Sequence, residues 1–84
     1  MKEDRFYQFQ VKLIRDKETG QVVVKIPALG IADYGANSQV AIQRLRRMAI
    51  FHLESLEQEG KPVPQEREGG EGLYLRVKVL VVAA

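Results

Sequence analysis

The sequence contains no cysteine and no tryptophan, and its single histidine is His52. Without cysteine there are no disulfide staples, and with one histidine there is no Cys/His zinc site. No long hydrophobic run is present: the longest, Val79 to Ala84, is far short of the roughly 20 residues that span a bilayer. The first residues, Met1-Lys2-Glu3-Asp4-Arg5, mix signs and lead into no apolar stretch with a cleavage site, which argues against a secretory signal. Charge of one sign is missing too, since the formal net charge is only +2, too small to argue for nucleic acid. What is present is 84 residues, 45% hydrophobic and 29% charged, enough for one domain and no second core. A chain of this length buries only about 60–65% of the surface it exposes when unfolded. The expectation is a small cytoplasmic domain of modest stability that gains from a partner.

Phe6 to Arg15 alternate, with Tyr7, Phe9, Val11 and Leu13 in one row and Gln8, Gln10 and Lys12 in the other. Period 2 with aromatic and branched residues predicts a half-buried strand. Asp16-Lys17-Glu18-Thr19-Gly20 carries turn chemistry, and Val22, Val24 and Ile26 form one face of a second strand, giving an antiparallel hairpin. Pro27 ends that strand because it cannot donate to a ladder. A short third strand is predicted around Ile31 to Tyr34. Asn37 or Ser38 is placed to cap a helix. Ala41, Ile42, Leu45, Met48, Ala49, His52, Leu53 and Leu56 then repeat with the 3.6-residue period of a face laid on the sheet. Gly60 and Pro62 stop the helix. Residues 61–72, rich in Pro, Gly and Glu, read as a flexible linker. Leu73 to Val82 reads as a final strand with Leu75, Val77, Val79 and Val81 on one face. The predicted fold is α+β: a three-stranded antiparallel meander, one long helix packed on it and a C-terminal strand (βββαβ), all in a single domain spanning 1–84.

Two stretches resemble the HicB family of bacterial and archaeal antitoxins. Val23-Val24-Lys25-Ile26-Pro27-Ala28-Leu29-Gly30 looks like the strand exit that the family writes V-P-D-L-P-G. Tyr34-Gly35-Ala36-Asn37-Ser38, the helix, and Glu59-Gly60-Lys61-Pro62-Val63-Pro64 look like its G-D-T-x-x-E-A and G-x-P-[IV]-P segments. Together they cover roughly residues 6 to 65. Ala28 stands where the family usually has Asp, and Val40 where an acidic residue is common. The resemblance implies a degenerate ribonuclease H-like fold in a stand-alone N-terminal-type domain. It also implies a non-enzymatic antitoxin that binds and masks a small HicA-type messenger-RNA-cleaving toxin. Many relatives continue into a DNA-binding domain, and this chain is expected to have none.

The residues themselves suggest no catalysis, metal site or cofactor. His52 falls on the apolar helix face, Ser38 and Ser55 have no base assembled with them, and Gly69-Gly70-Glu71-Gly72 lacks the Lys-Ser/Thr of a phosphate loop. The predicted first strand, Phe6 to Arg15, holds no carboxylate, so the two-metal chemistry of an active ribonuclease H site is disfavoured. Arg44, Arg46 and Arg47 resemble a basic cluster only in linear text. At 100° per residue Arg44 and Arg46 stand about 160° apart on a helix. Glu54, Glu57, Glu59, Glu66, Glu68 and Glu71 outweigh Lys61 and Arg67 in the following segment. Direct nucleic-acid binding is therefore disfavoured, and a weak RNA-binding module ranks third among the readings.

The sequence points instead to binding surfaces. Val40, Arg44, Arg47 and Phe51 form a second helical stripe with the aromatic and arginine content of an interface. With Asp33 and Tyr34 they are the candidate partner site. Val79 to Ala84 is apolar on both faces and has no Pro or late Lys to protect a free edge. Leu75, Val77, Val79, Leu80, Val81 and Val82 are accordingly candidates for a homodimer strand, covered either at the centre of its own sheet or by another subunit. The alternative to the antitoxin is an orphan structural or regulatory homodimer that binds another protein.

Overall fold

The first strand continues well past the residues whose alternation announces it. In the computed structural model, which describes residues 2–64 and 72–82, strand β1 runs Lys2–Arg15 and takes in the charged residues ahead of Phe6. At about 3.3 Å per residue such a strand reaches about 46 Å, nearly the whole 49 Å long axis of the molecule. Strand β2 is Val22–Ile26, β3 is Ile31–Gly35, helix α1 is Ser38–Gln58 and β4 is Leu73–Val82. All pairings are antiparallel, in the order β3-β2-β1-β4. The fold is α+β in βββαβ order, as the patterning predicts. Most of the expected 61–72 linker, residues 65–71, lies outside the described residues, as do Ala83 and Ala84.

β1 serves two neighbours in turn. Lys2–Val11 pair with β4, from Lys2↔Val82 to Val11↔Leu73, and Lys12–Arg15 pair with β2. The β1–β2 turn is tied by Asp16, whose carbonyl accepts the Gly20 N–H and whose Oδ1 accepts the Glu18 N–H at 2.9 Å. That backbone donor, with the Thr19 hydroxyl next in weight, holds the Asp16 carboxyl below its ordinary value. Pro27 closes β2 as a single 3-10 turn, Pro27–Leu29, which ends at Gly30 with φ 66° and its N–H on the Pro27 carbonyl. A side chain there would be strained in the left-handed region.

Odd residues of β1 and β4 and even residues of β2 face the helix. Phe9, Val11, Val22, Val24, Ile26, Leu75, Val77, Val79 and Val81 are buried there against Ala41, Leu45, Ala49 and Leu53. The predicted helix face is right at its centre and thins at its rim, where Met48 is exposed and Ile42, His52 and Leu56 are half-buried. Asn37 is the cap: its Oδ1 accepts the Val40 N–H at 2.9 Å. Asn37→Ala leaves that donor unpaired and is expected to cost about 1 kcal/mol. In a domain of this size that is about 4–8 °C in Tm. A thermal melt that moves by less than 1–2 °C would show the cap to be dispensable. The opposite face of the sheet has no covering layer among the described residues, and Phe6, Ile14 and Leu80 are more than half exposed on it.

Candidate functional site

The two segments proposed from sequence, Asp33-Tyr34 and the helical stripe, meet in space. Asp33 faces the helix because it pairs with Val24, whose side chain is wholly buried on that side. Its Oδ1 accepts the N–H of Tyr34 at 2.8 Å and lies 3.3 Å from Nε of Arg44. The Arg44 guanidinium also sits 5.1 Å from the centre of the Tyr34 ring, within the range of a cation–π contact. Asp33, Tyr34 and Arg44 therefore form one constellation at the outer edge of β3. Val40 and Phe51 lie exposed on the same helix flank, and Phe51 at 73% is the most exposed large apolar side chain described. Arg47 is exposed on that flank too, and no ion pair engages it among the described residues. From Val40 to Phe51 the stripe is about 16 Å long at 1.5 Å per residue.

Arg46 points the other way. Its Nη1 donates to the carbonyl of Arg76 at 2.7 Å, on the far edge of the sheet. The helix thus lies across the sheet with one arginine reaching each outer strand, Arg44 to β3 and Arg46 to β4. Neither is a free cation, and they are separated by the width of the sheet. This geometry explains why the linear cluster makes no basic patch. Arg76 itself turns to the uncovered face, where its guanidinium lies 4.5 Å from the Phe6 ring centre.

A second polar cluster has no counterpart in the sequence reading. Glu57, in the last turn of α1, accepts a hydrogen bond from the Tyr7 hydroxyl and lies 3.3 Å from Arg5 Nη1, which in turn leaves Arg5 Nη2 3.2 Å from Glu3. Burial pushes the Tyr7 phenol above its ordinary value, and the bond to Glu57 acts in the same direction. A phenol that resists ionisation is a poor nucleophile or base, so the cluster reads as a latch holding the helix end to β1. Tyr7 and Glu57 are 50 residues apart and carry no local motif, so nothing in the sequence pairs them. Beside the latch, a recess of about 340 Å³ is lined by Lys2, Glu54, Glu57, Gln58, Leu80 and Val81.

The candidate dimer strand divides by side-chain direction. Leu75, Val77, Val79 and Val81 are taken up by the chain's own core, while Leu80 is exposed at 51% on the uncovered face. β4 is not at the centre of the sheet: it pairs with β1 alone and forms an outer edge. Among the described residues no polar or charged side chain is buried. Nor does any group of three or more His, Asp or Glu side chains there form a metal-holding cluster. No described helix is long and apolar enough to cross a membrane.

Comparison of the chain with protein-family models, with curated proteins and with solved structures finds no match in any of the three. The geometry of the chain itself is what bears on function.

Proposed function

We propose that this domain is a non-enzymatic binding protein of the cytoplasm, a HicB-like antitoxin that masks a small HicA-type messenger-RNA-cleaving toxin. The observation that carries the reading is the continuous exposed flank of Tyr34, Val40, Arg44, Arg47 and Phe51. It combines an unburied aromatic, a stacked arginine and an apolar neighbour, the composition of an energetic anchor in a protein interface. Asp33 fixes Arg44 over Tyr34 before a partner arrives, which lowers the ordering cost of docking there. The order of elements around Ile26-Pro27 and Gly60-Lys61-Pro62-Val63-Pro64 supports the family reading. Inhibition would be steric, by occlusion of the toxin's active surface, with no turnover. A second reading, a regulatory homodimer that binds another protein, draws on the uncharged end of β4, Val79 to Val82.

The test is co-expression with a small basic protein encoded beside this chain. Growth rescue and co-purification are expected. Phe51→Ala should leave the fold intact, because the ring is 73% exposed, yet weaken capture about 10- to 30-fold, as loss of an interface anchor does. Failure to rescue and to co-purify would overturn the antitoxin reading, and undiminished capture by Phe51→Ala would overturn the assignment of the flank.

A further inference from the structure

Antiparallel ladders alternate, so the residues of an outer strand present their N–H and C=O groups in turn to the neighbour and to solvent. The Arg46 bond to the Arg76 carbonyl shows which set of β4 points outward. Tyr74, Arg76, Lys78, Leu80 and Val82 direct their backbone groups away from β1. The three sheet edges are treated differently. At β3 the outward N–H of Tyr34 is already taken by Asp33, with Arg44 stacked over the ring. The part of β1 that β2 does not pair, Lys2–Val11, begins with Lys2, Glu3, Asp4 and Arg5, charges that discourage edge pairing at that end. On β4 the Arg46 clamp sits at Arg76 and the last charge is Lys78. From Val79 to Val82 there is no charge, and the outward backbone groups of Lys78 and Leu80 have no partner among the described residues.

We propose that this open stretch, Lys78 to Val82, is the pairing edge of a symmetric dimer, occupied by the same stretch of a second copy running antiparallel. The stretch has Leu80 at its midpoint, so the register that uses all of it puts Leu80 against Leu80 of the second copy and Lys78 against Val82 of the second copy. Val79 then faces Val81 of the second copy on the helix side. Shifting the centre to Lys78 sets two lysines directly opposite, which is unfavourable. Shifting it to Val79 keeps only the two Lys78–Leu80 pairs, about four bonds, because the next pair needs the Arg76 carbonyl that Arg46 already holds. The Arg46 clamp therefore sets the register as well as the end of the ladder. The pairing adds about six main-chain hydrogen bonds. It closes on itself because a two-fold pairing uses the same edge of both copies, so it does not propagate into a fibre. Its area falls short of the roughly 1,200 Å² of a standard interface, so the dimer is concentration-dependent. The inference does not depend on the toxin reading.

Light-scattering mass of the full chain decides it. Twice the 9.5 kDa of one chain is expected at roughly hundreds of micromolar, falling to one chain on dilution, as suits so small an interface. Leu80→Lys places two charges at the dyad and is expected to raise the dissociation constant at least about tenfold. Leu80 is half exposed, so the variant should keep the wild-type circular dichroism and melting temperature in the monomeric range. Amide hydrogen exchange gives a second readout: the N–H groups of Lys78 and Leu80 should be protected at high concentration and exposed on dilution. A single-chain mass throughout, a mass above two chains, a dimer indifferent to Leu80→Lys, or fast exchange at both amides in the dimer would each overturn the proposal.

Discussion

Truncating Phe9 to alanine is expected to lower the stability of this domain by about 3–5 kcal/mol. Phe9 is the largest fully buried side chain of the molecule, in β1 opposite Leu75 and beneath the helix. Its removal loses the transfer free energy of the ring and leaves a void that the surrounding strands close only in part. A chain of 84 residues at about 0.05–0.15 kcal/mol per residue has a total stability of about 4–13 kcal/mol. The substitution therefore removes a large share of it and can unfold the chain outright. Urea denaturation checks this, and Phe9→Leu, which keeps most of the volume, serves as the milder control. A loss below about 1.5 kcal/mol for Phe9→Ala would mean that the core collapses around the site far better than a sheet-on-helix layer normally does.

Gly35→Ala is expected to cost about 1–3 kcal/mol, and to open the Asp33–Arg44 contact as it does so. A Cβ on Gly35 would stand 2.6 Å from the Ala41 backbone nitrogen and 2.9 Å from Val40 Cγ1. The obstacle is the backbone of the first helical turn, so the clash is relieved only by moving β3 and α1 apart. That movement is transmitted directly to the candidate site, since Asp33 and Tyr34 precede Gly35 on the strand and Arg44 follows on the helix. Loss of stability and loss of partner capture should therefore appear together in this variant, whereas Phe51→Ala affects capture alone. A wild-type melt for Gly35→Ala would refute the close approach.

The candidate flank was half legible from the sequence. Helical spacing alone aligns Val40, Arg44, Arg47 and Phe51, because residues at offsets of 4, 7 and 11 share a side of any α-helix. That Asp33 and Tyr34 belong to the same surface depends on the register of β3 against β2 and on the close packing that Gly35 permits. The latch of Arg5, Tyr7 and Glu57 was not legible at all. Tyr7 reads as one member of an apolar row, and its polar partner arrives from the far end of the helix.

By itself, the sequence determined which residues alternate, which repeat with helical period, and where Pro27, Asn37 and Gly60 interrupt. These are local matters of sterics and hydrogen bonding, and they suffice for the βββαβ order and nearly the whole buried set. Only the tertiary structure decided that β1 begins at Lys2, because four charged residues extend there solely by pairing with Val79 to Val82. It alone placed β4 at an edge, and it alone took Arg44 to β3 and Arg46 to β4, which helical spacing had set only about 160° apart around the axis. A helix laid across a sheet turns an angular difference about its axis into a distance between opposite edges. Two arginines close together in linear text but on different sides of the helix thereby become two separate guards, and the stretch of β4 beyond the second is left open.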